Sequence, residues 1–377
     1  MQDTNALLCI AASEEDSNQY YATGIVVPDP FIFFEKNEKK VIVLSDLEIE
    51  RGKRDAHVDE VLPLSEYRKR LQERGIEFPK LIDITDCVLQ DYDITQVVVP
   101  GNFGIQYADP LRDRGYTVSY KEPFFEHRTR KTIQEIEYLR QTQQHNETVM
   151  DYALQILKES EIGEHDYLYY QGIVLTSEYM QRHIQMKCLE LNCLSYGTIV
   201  SCAEQATRPH EHGSGPLLAH QAIILDIFPQ SLTTRYYADM TRTVVKGRVS
   251  DVLKRMYEAV RAGQELAFNA IRNGAKGHAI HQQIQAFFAQ EGFETGEIDG
   301  TVQGFIHGTG HGLGLDIHEA PRIGNVDVTL QSGNVVTVEP GLYYTKHGGV
   351  RLEDVVVVTE NGCTNLTTYP KILELPE

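Results

Sequence analysis

The sequence predicts a mixed α/β (α+β) protein of two domains, a small α/β domain over residues 1–122 and a larger domain over residues 123–377. Three observations lead to this prediction. With 377 residues, the chain is long enough for two domains and a large core. In its first third, short apolar runs alternate with helical patterns, as in a layered sheet. In the remainder, longer helical patterns are interspersed with short apolar runs.

The first domain is predicted from strand-like runs and one helix. The runs are short and apolar, and they cover residues 31–34, 41–44 and 96–99. Residues 65–74 form a helical pattern, which Ser65 is expected to cap and Gly75 to end. No group of catalytic residues is evident in this domain.

A helix is predicted to open the second domain. Pro123 breaks regular structure in the boundary segment 121–131. Thr132 and Glu135 then have the spacing of a capping box. The helix carries an apolar stripe at Ile133, Ile136, Leu139, Val149, Ala153, Ile156 and Leu157.

Two further helices are predicted downstream. Ser250 is expected to cap a helix that continues to Arg272 and stops at Gly274. Another is predicted over residues 276–291. Short apolar runs around these helices carry the acidic residues that are considered below.

Composition argues against several classes of partner. The net charge is −19, from 35 basic and 54 acidic side chains, which disfavours nucleic acid and anionic membranes. No apolar run approaches 18 residues, so no spanning helix is expected, and the N-terminus lacks a signal-peptide pattern. The six cysteines have neither zinc-like nor redox spacing, which predicts a cytoplasmic location.

Four carboxylates and one imidazole in the last third of the chain predict a two-metal site. Carboxylates in apolar strands are costly to bury unless they are paired or bound to metal. Such a set can hold two divalent cations, which clamp and activate a water molecule. Oxygen-rich ligands suit Mn²⁺ or similar hard ions. The five residues are Asp226, Asp239, His311, Glu339 and Glu353.

The two aspartates are thirteen residues apart, with a polar, turn-like run between them. A hairpin would bring Asp226 and Asp239 to one end of the sheet. Spacing alone would favour two turn-capping aspartates instead. The following residues 241–243 (TRT) and the downstream motifs favour the metal site.

A glycine-rich segment carries His307, His311 and His318. Its alternating glycines, at 308, 310, 312 and 314, are expected to let the backbone pass close to a ligand. A phosphate-binding loop is the alternative, but no Lys- or Ser/Thr-bearing helical sequence follows in the required place. Three histidines within twelve residues favour a site over a structural role.

The remaining candidates lie around two short runs near residue 345. Glu339 precedes a Pro-Gly turn. Arg351 and Glu353 are two residues apart, so in a strand they would share one face. A cross-strand salt bridge is the simpler interpretation of such a pair.

Taken together, these runs resemble the "pita-bread" metallopeptidases, the group of methionine aminopeptidase, aminopeptidase P and prolidase. The run GLDIHE is similar to the proline-specific branch, whose members also carry a preceding domain of this size. The matching runs are Asp226 followed by residues 239–243 (DMTRT), 307–321 (HGTGHGLGLDIHEAP), 338–343 (VEPGLY) and 351–354 (RLED).

The resemblance implies a creatinase-like N-terminal domain and a pita-bread catalytic domain of two similar α/β halves. It also implies that Asp239 and Glu353 bridge two ions. Asp226 would be a further ligand of one ion, and His311 and Glu339 would be further ligands of the other. The ions would be Mn²⁺, with Co²⁺ or Zn²⁺ as alternatives.

Catalytic roles are also implied by the resemblance. Glu339 would shuttle a proton, and Arg351 would orient the site. His318 and an upstream histidine would stabilise the tetrahedral intermediate, and His307 is a further catalytic candidate. His210 fits the spacing of the upstream histidine better than His212, which stays an alternative.

The implied activity is hydrolysis of the bond between an N-terminal residue and proline, in dipeptides or in longer peptides. The implied assembly is a homodimer. The chain departs from the family at Phe228, where a glycine is usual, and this affects substrate choice more than metal binding. A creatinase-like C–N hydrolase without metal, or a binding protein, is the alternative, which the complete set of five ligands disfavours.

Overall fold

The computed structural model describes residues 5–376. The chain divides into two compact units, Met1–Arg128 and Thr129–Glu377. Phe124 and Phe125 are buried in an apolar cluster of the first unit, so this unit continues beyond Pro123. No helix in the described part combines the length and the apolar character that a membrane span requires.

A mixed six-stranded sheet forms the centre of the first unit, in the order β4-β3-β2-β1-β5-β6. β4 and β5 pair in parallel with β3 and β1, and β6 in parallel with β5, while the other pairs are antiparallel. The strands are β1 (Asn5–Ala11), β2 (Phe31–Lys36), β3 (Lys39–Leu44), β4 (Glu60–Pro63), β5 (Gln96–Pro100) and β6 (Thr117–Lys121).

Both faces of this sheet are covered, which explains why β2 begins with four apolar residues in succession. Ile32 and Phe34 pack into one apolar cluster, and Phe31 and Phe33 into another on the opposite face. The three strand-like runs of the sequence are confirmed as β2, β3 and β5. The helices are α1 (Ser17–Thr23), α2 (Ile49–Asp55), α3 (Leu64–Glu73), α4 (Leu81–Asp91) and α5 (Ile105–Asp113).

The start of α3 differs from the prediction. Pro63 occupies the cap position in an extended conformation, and Ser65 lies inside the helix. The hydroxyl of Ser65 donates to Asp46 Oδ1 at 2.7 Å and does not accept from the helix backbone, so the predicted cap is wrong. The predicted stop is confirmed, because Gly75 takes a φ of 91°, which side chains with a Cβ disfavour.

Two long helices, each followed by a shorter one, organise the second unit. They are α6 (Ile133–Glu159), α7 (Ser177–Glu190), α8 (Asp251–Ala270) and α9 (Gly277–Gln290). Short 3₁₀ helices lie at Glu126–Thr129, where the first unit ends and the second begins, and at Glu164–Asp166 and Gln205–Thr207 in the second unit.

The caps of the long helices follow the sequence prediction. The capping box of Thr132 and Glu135 is complete, and Ser250 accepts from the amide of Leu253. Two details were wrong. The side chain of Ile133 is 89% exposed and does not belong to the apolar stripe. The helix α8 ends at Ala270, before Arg272.

The second unit contains two larger sheets with the strand orders β11-β12-β14-β24 and β18-β17-β19-β22-β23. Their strands are β11 (Ile199–Cys202), β12 (Ile223–Ile227), β14 (Met240–Lys246), β17 (Gly310–Gly312), β18 (Glu319–Ile323), β19 (Val335–Val338), β22 (Asp354–Val358), β23 (Cys363–Asn365) and β24 (Glu374–Leu375). The smaller sheets consist of β7 (Glu161–Ile162), β8 (Leu168–Tyr170) and β9 (Ile173–Val174); β10 (Cys193–Leu194) and β13 (Gln230–Ser231); β15 (Gly296–Ile298) and β16 (Thr301–Gln303); β20 (Gly341–Tyr344) and β21 (Gly348–Arg351).

Each large sheet packs against one helix pair. Apolar residues of α6 and α7 share a cluster with β12 and β14, and those of α8 and α9 share a second cluster with β19 and β22. The second unit therefore consists of two similar α/β halves, each a helix pair on a sheet.

Candidate active site

The two aspartates are brought together by an antiparallel pair of strands. Asp226 lies in β12 opposite Thr241 of β14, and Asp239 directly precedes β14. The predicted hairpin is therefore confirmed, with the short strand β13 inside its connection.

His311 is the central residue of β17, between Gly310 and Gly312. A Cβ atom on Gly310 would lie 1.9 Å from the carbonyl oxygen of Thr337, and one on Gly312 would lie 2.4 Å from that of Ala320. These glycines therefore make room for the neighbouring strands. The sequence had suggested close approach to a ligand instead.

Both glutamates lie where strands end. Glu339 follows β19, and Glu353 lies between β21 and β22. The prediction that Arg351 and Glu353 share a strand face is wrong, because Glu353 is outside the strand. The two side chains meet at Thr241 instead: its Oγ1 accepts from Arg351 Nε at 3.2 Å and donates to Glu353 Oε2 at 2.8 Å.

The five predicted ligand residues line one cavity of about 560 Å³. His311 Nε2 lies 3.6 Å from Asp239 Oδ2 and 3.4 Å from Glu339 Oε1. Ligand atoms of Asp239, His311 and Glu353 all lie within 4.8 Å of one another. The cavity walls are Gly197, Ile199, Pro209, His210, His212, Asp226, Phe228, Asp239, His307, Gly308, Gly310, His311, Ile317, His318, Arg322, Glu339, Arg351 and Glu353.

The protein itself supplies too little positive charge to neutralise the carboxylates of this cavity. Burial, and then the charges of neighbouring carboxylates, raise the pKa of Asp239 and of Glu353 well above the usual range. Burial also raises the pKa of Glu339 to about 7. Arg351 Nη2 pairs with Asp226 Oδ2 at 2.8 Å and compensates one carboxylate of the four.

His311 faces these carboxylates with a lone pair. Burial lowers the pKa of His311 to about 3, so its ring is neutral. Its Nδ1 lies 3.1 Å from the carbonyl oxygen of Gly312, which can only accept, so the ring proton is on Nδ1. Nε2 therefore points an unprotonated lone pair at the oxygens of Asp239 and Glu339, an arrangement that a cation between them would stabilise.

The chemistry of the donor set fits divalent cations. Asp226 Oδ1 is buried and has no hydrogen-bond partner within residues 5–376, which leaves it available as a ligand. Four carboxylates and one neutral imidazole match the preference of Mn²⁺ and similar ions.

Two of the predicted catalytic histidines differ in how they are held. His307 is bonded at both nitrogens: Nδ1 donates to the carbonyl of Gly308, and Nε2 accepts from the hydroxyl of Tyr343, both at 2.8 Å. His318 packs its ring at 85° to that of His311, with centroids 4.4 Å apart. Its imidazole is exposed to the cavity and has no side-chain hydrogen bond within the described residues.

Both candidates for the upstream histidine line the cavity, but they face different neighbours. Burial is the main cause of the lowered pKa of His307 and of His318, and the charge of His210 contributes to each. The ring of His212 instead lies against Gly197. His210 therefore lies close enough to His307 and His318 for its charge to act on both.

Sequence comparison places this cavity in a known family. Metallopeptidase family M24 matches residues 137–360, a segment that contains all five predicted ligands. The chain belongs to this family. The resemblance inferred from the motifs is thereby confirmed.

Members of the family with related sequences carry proline-specific names. The chain is 35% identical over 175 residues to the Xaa-Pro dipeptidase of Pyrococcus furiosus, and the aligned region covers 46% of this chain and 47% of that protein. It is 35% identical over 204 residues to Xaa-Pro aminopeptidase 1 of Streptomyces coelicolor, covering 48% and 41%. These matches span about half the length of the curated relatives.

Solved structures extend the likeness of fold to the whole chain. The X-Pro aminopeptidase of Thermotoga maritima superposes with a TM-score of 0.81 at 21% identity, covering 100% of this chain and 98% of that one. The prolidase of Pyrococcus horikoshii gives 0.80 at 20% identity, covering 98% and 95%. The predicted fold class is confirmed.

This M24 metallopeptidase also uses residues to which the sequence assigned no role. Tyr343 accepts from Arg351 Nη1 at 2.9 Å while it donates to His307, so Asp226, Arg351, Tyr343 and His307 form one chain of hydrogen bonds. Tyr343 and Thr241 are both buried polar residues inside quoted motifs. A role near the site could have been suspected because Thr241 and Tyr343 lie in the runs 239–243 and 338–343. Their hydrogen-bond partners could not have been, because these lie on strands far apart in the sequence.

Proposed function

We propose that the chain hydrolyses the bond between an N-terminal residue and proline, with two divalent cations held by Asp226, Asp239, His311, Glu339 and Glu353. The observation that carries this proposal is the gathering of four carboxylates and the unprotonated Nε2 of His311 in one cavity, with Asp239 and Glu339 at 3.6 and 3.4 Å from that nitrogen. Two such ions would supply an activated water and polarise the scissile carbonyl. Ligand atoms of Asp239 and Glu353 lie within 4.8 Å of each other and of a nitrogen of His311, which supports bridging by these two carboxylates, and the oxygen-rich set supports Mn²⁺.

The chain's own groups account for proton movement and for stabilisation of charge. Glu339, with a pKa of about 7, is suited to take a proton from the attacking water and return it to the leaving nitrogen. His318 and His210 face the cavity as donors to the oxyanion that develops on the carbonyl oxygen. Arg351 pairs with Asp226 and holds it in place, and His307 supports Arg351 through Tyr343.

Proline specificity is supported by the names of the relatives and by the wall of the cavity. A peptide bond to proline lacks an N–H, so a protease that depends on that donor handles it poorly. Here the apolar side chains of Ile199, Pro209, Phe228 and Ile317 can contact a pyrrolidine ring. The bulky Phe228 also narrows the space for the substrate.

A chelation experiment tests the proposal. We expect the protein to contain two divalent ions per chain, to lose hydrolysis of Ala-Pro on dialysis against chelator, and to regain it with Mn²⁺, Co²⁺ or Zn²⁺. Ala-Ala serves as the control substrate and should be cleaved poorly in every state. Full activity of the metal-free protein towards Ala-Pro would contradict the proposal.

The position of Arg322 supports dipeptides, in preference to longer peptides, as the substrates. Its exposed guanidinium lies in the cavity wall and forms no ion pair with any residue the structure describes. It can therefore pair with the carboxylate of a substrate that ends at proline. A charged hydrogen bond of this kind contributes about 1.5–3 kcal/mol, and a longer peptide places its carboxylate elsewhere.

Arg322→Leu is accordingly expected to lower kcat/KM for Ala-Pro by about 10-fold or more, mostly through KM. The amide Ala-Pro-NH₂, which lacks the carboxylate, should change little. Arg182→Leu, at an exposed position of α7, is the matched control. An equal loss of kcat/KM for both substrates would show that Arg322 does not recognise the substrate carboxylate.

A further inference from the structure

Three buried amide side chains on the core helices contact the backbone beside all four carboxylates of the site. Gln143 and Asn146 lie on α6, and Gln264 lies on α8. Their exposed fractions are 1%, 0% and 0%. We propose that these amides are positioning residues that set the spacing of the carboxylates around the two cations, an inference that rests on the proposed function.

Gln264 joins the two strand ends that carry the glutamates. Its Nε2 donates to the carbonyl oxygen of Val338 at 2.8 Å and to that of Leu352 at 3.2 Å. These two residues directly precede Glu339 and Glu353. A single side chain therefore bonds the backbone before both glutamates, at the end of the β19–β22 ladder where Val338 pairs with Asp354.

The helix α6 does the same for the aspartates. Gln143 Nε2 donates to the carbonyl of Asp239 at 3.0 Å, and Gln143 Oε1 accepts from the amide of Asp239 at 3.1 Å, as a neighbouring strand would. Asn146 Nδ2 donates to the carbonyl of Ile227 at 2.6 Å, one residue beyond Asp226. The long helix of each half thus contacts the backbone beside one pair of carboxylates.

The need for these contacts follows from where the carboxylates lie. Asp239, Glu339 and Glu353 stand just outside strands. The backbone amides of Glu339 and Glu353 still donate to the carbonyls of Thr309 and Thr241, and Gln264 bonds the carbonyls of the residues before them. A buried backbone group without a strand partner needs another partner. The amide side chains are such partners, and they extend from rigid helices. The position of each helix therefore sets the position of the carboxylates beside it.

Satisfying these backbone groups does not by itself account for the amides. Asn146 Oδ1 and Gln264 Oε1 are buried without a hydrogen-bond partner in the described chain, which lowers stability. Gln19 Oε1 in the first unit is orphaned in the same way, but within the described part of the second unit this cost falls on both helices, each time beside a carboxylate. The recurrence points to placement of the ligands.

Gln264→Met tests the proposal because methionine keeps the volume of the side chain and removes its donor. We expect Mn²⁺ binding to weaken by about 10- to 100-fold at one site, as on loss of a group that orients a metal ligand. At the Mn²⁺ concentration that saturates the wild type, the paramagnetic resonance signal of a coupled Mn²⁺ pair should give way to that of single ions. Titration calorimetry and the resonance spectrum are both independent of catalysis.

Gln303→Met is the matched control. Gln303 is a buried amide of the same unit, and its Nε2 donates to the carbonyl of Ile298, away from the carboxylates. It should lose thermal stability while keeping both the Mn²⁺ affinity and the coupled signal. Wild-type protein without a coupled pair would refute the proposed two-metal function itself.

An unchanged affinity and an unchanged coupled signal in folded Gln264→Met would overturn the inference. If this variant does not fold, as judged by circular dichroism, Gln143→Met gives the same test on the other helix, with the same expected result. Failure of both to fold would assign the amides to folding, and would also overturn it.

Discussion

Asp239→Asn is expected to remove at least one of the two metal ions and to lower Ala-Pro hydrolysis by about 10³-fold or more, since the ions supply several kcal/mol of transition-state stabilisation. Asp239 is 4% exposed and lies among the other three carboxylates. Asparagine keeps the size of the side chain but removes its charge. Two cations would then face each other with less compensation, and one should leave.

Bound metal per chain, measured at matched pH, is the direct readout for Asp239→Asn. Asp46→Asn is the control, because Asp46 also follows an apolar strand but is exposed and accepts from the hydroxyl of Ser65. That variant should keep two ions and full activity. Two tightly held ions in Asp239→Asn would reject the assignment of this residue as a bridge.

His318→Ala is expected to lower turnover by about 10²-fold or more with metal content near that of wild type, as on removal of a donor to the transition state. The structure supports a role in chemistry, because the ring of His318 is exposed to the cavity, packs against the ring of His311, and forms no side-chain hydrogen bond with any residue that the structure describes. The nitrogen of His318 is thereby left free for the substrate.

Turnover and metal content must be measured together for His318→Ala. His347→Ala, in the exposed turn between β20 and β21, removes an imidazole outside the cavity and should change neither. Loss of metal in step with activity would reassign His318 as a metal ligand.

Local features of the fold could be predicted where neighbours in sequence decide them. The caps at Thr132 and Ser250 depend on a side chain and a backbone amide three residues away, and both were predicted correctly. Ser65 is a serine like Ser250, but it lies inside its helix. Pro63 occupies the cap position there, and the hydroxyl of Ser65 donates to Asp46. Distant contacts thus override a local preference.

For the site, the sequence by itself predicted the five candidate ligands and determined the family. Carboxylates within apolar runs, and the order of the motifs, predicted Asp226, Asp239, His311, Glu339 and Glu353, which the structure brings into one cavity. Residue types and their order are local information, and the chemistry of a hard-cation site demands that set.

Only the tertiary structure decided how these side chains are held. The link from Arg351 through Thr241 to Glu353, and the contacts of Gln264 with the backbone beside both glutamates, join residues from strands and helices far apart in the chain. No sequence period records such contacts, because they form only when the sheets and helices have packed. The same packing brings His210 and His212, which lie far upstream in the sequence, into the wall of the cavity that contains His318.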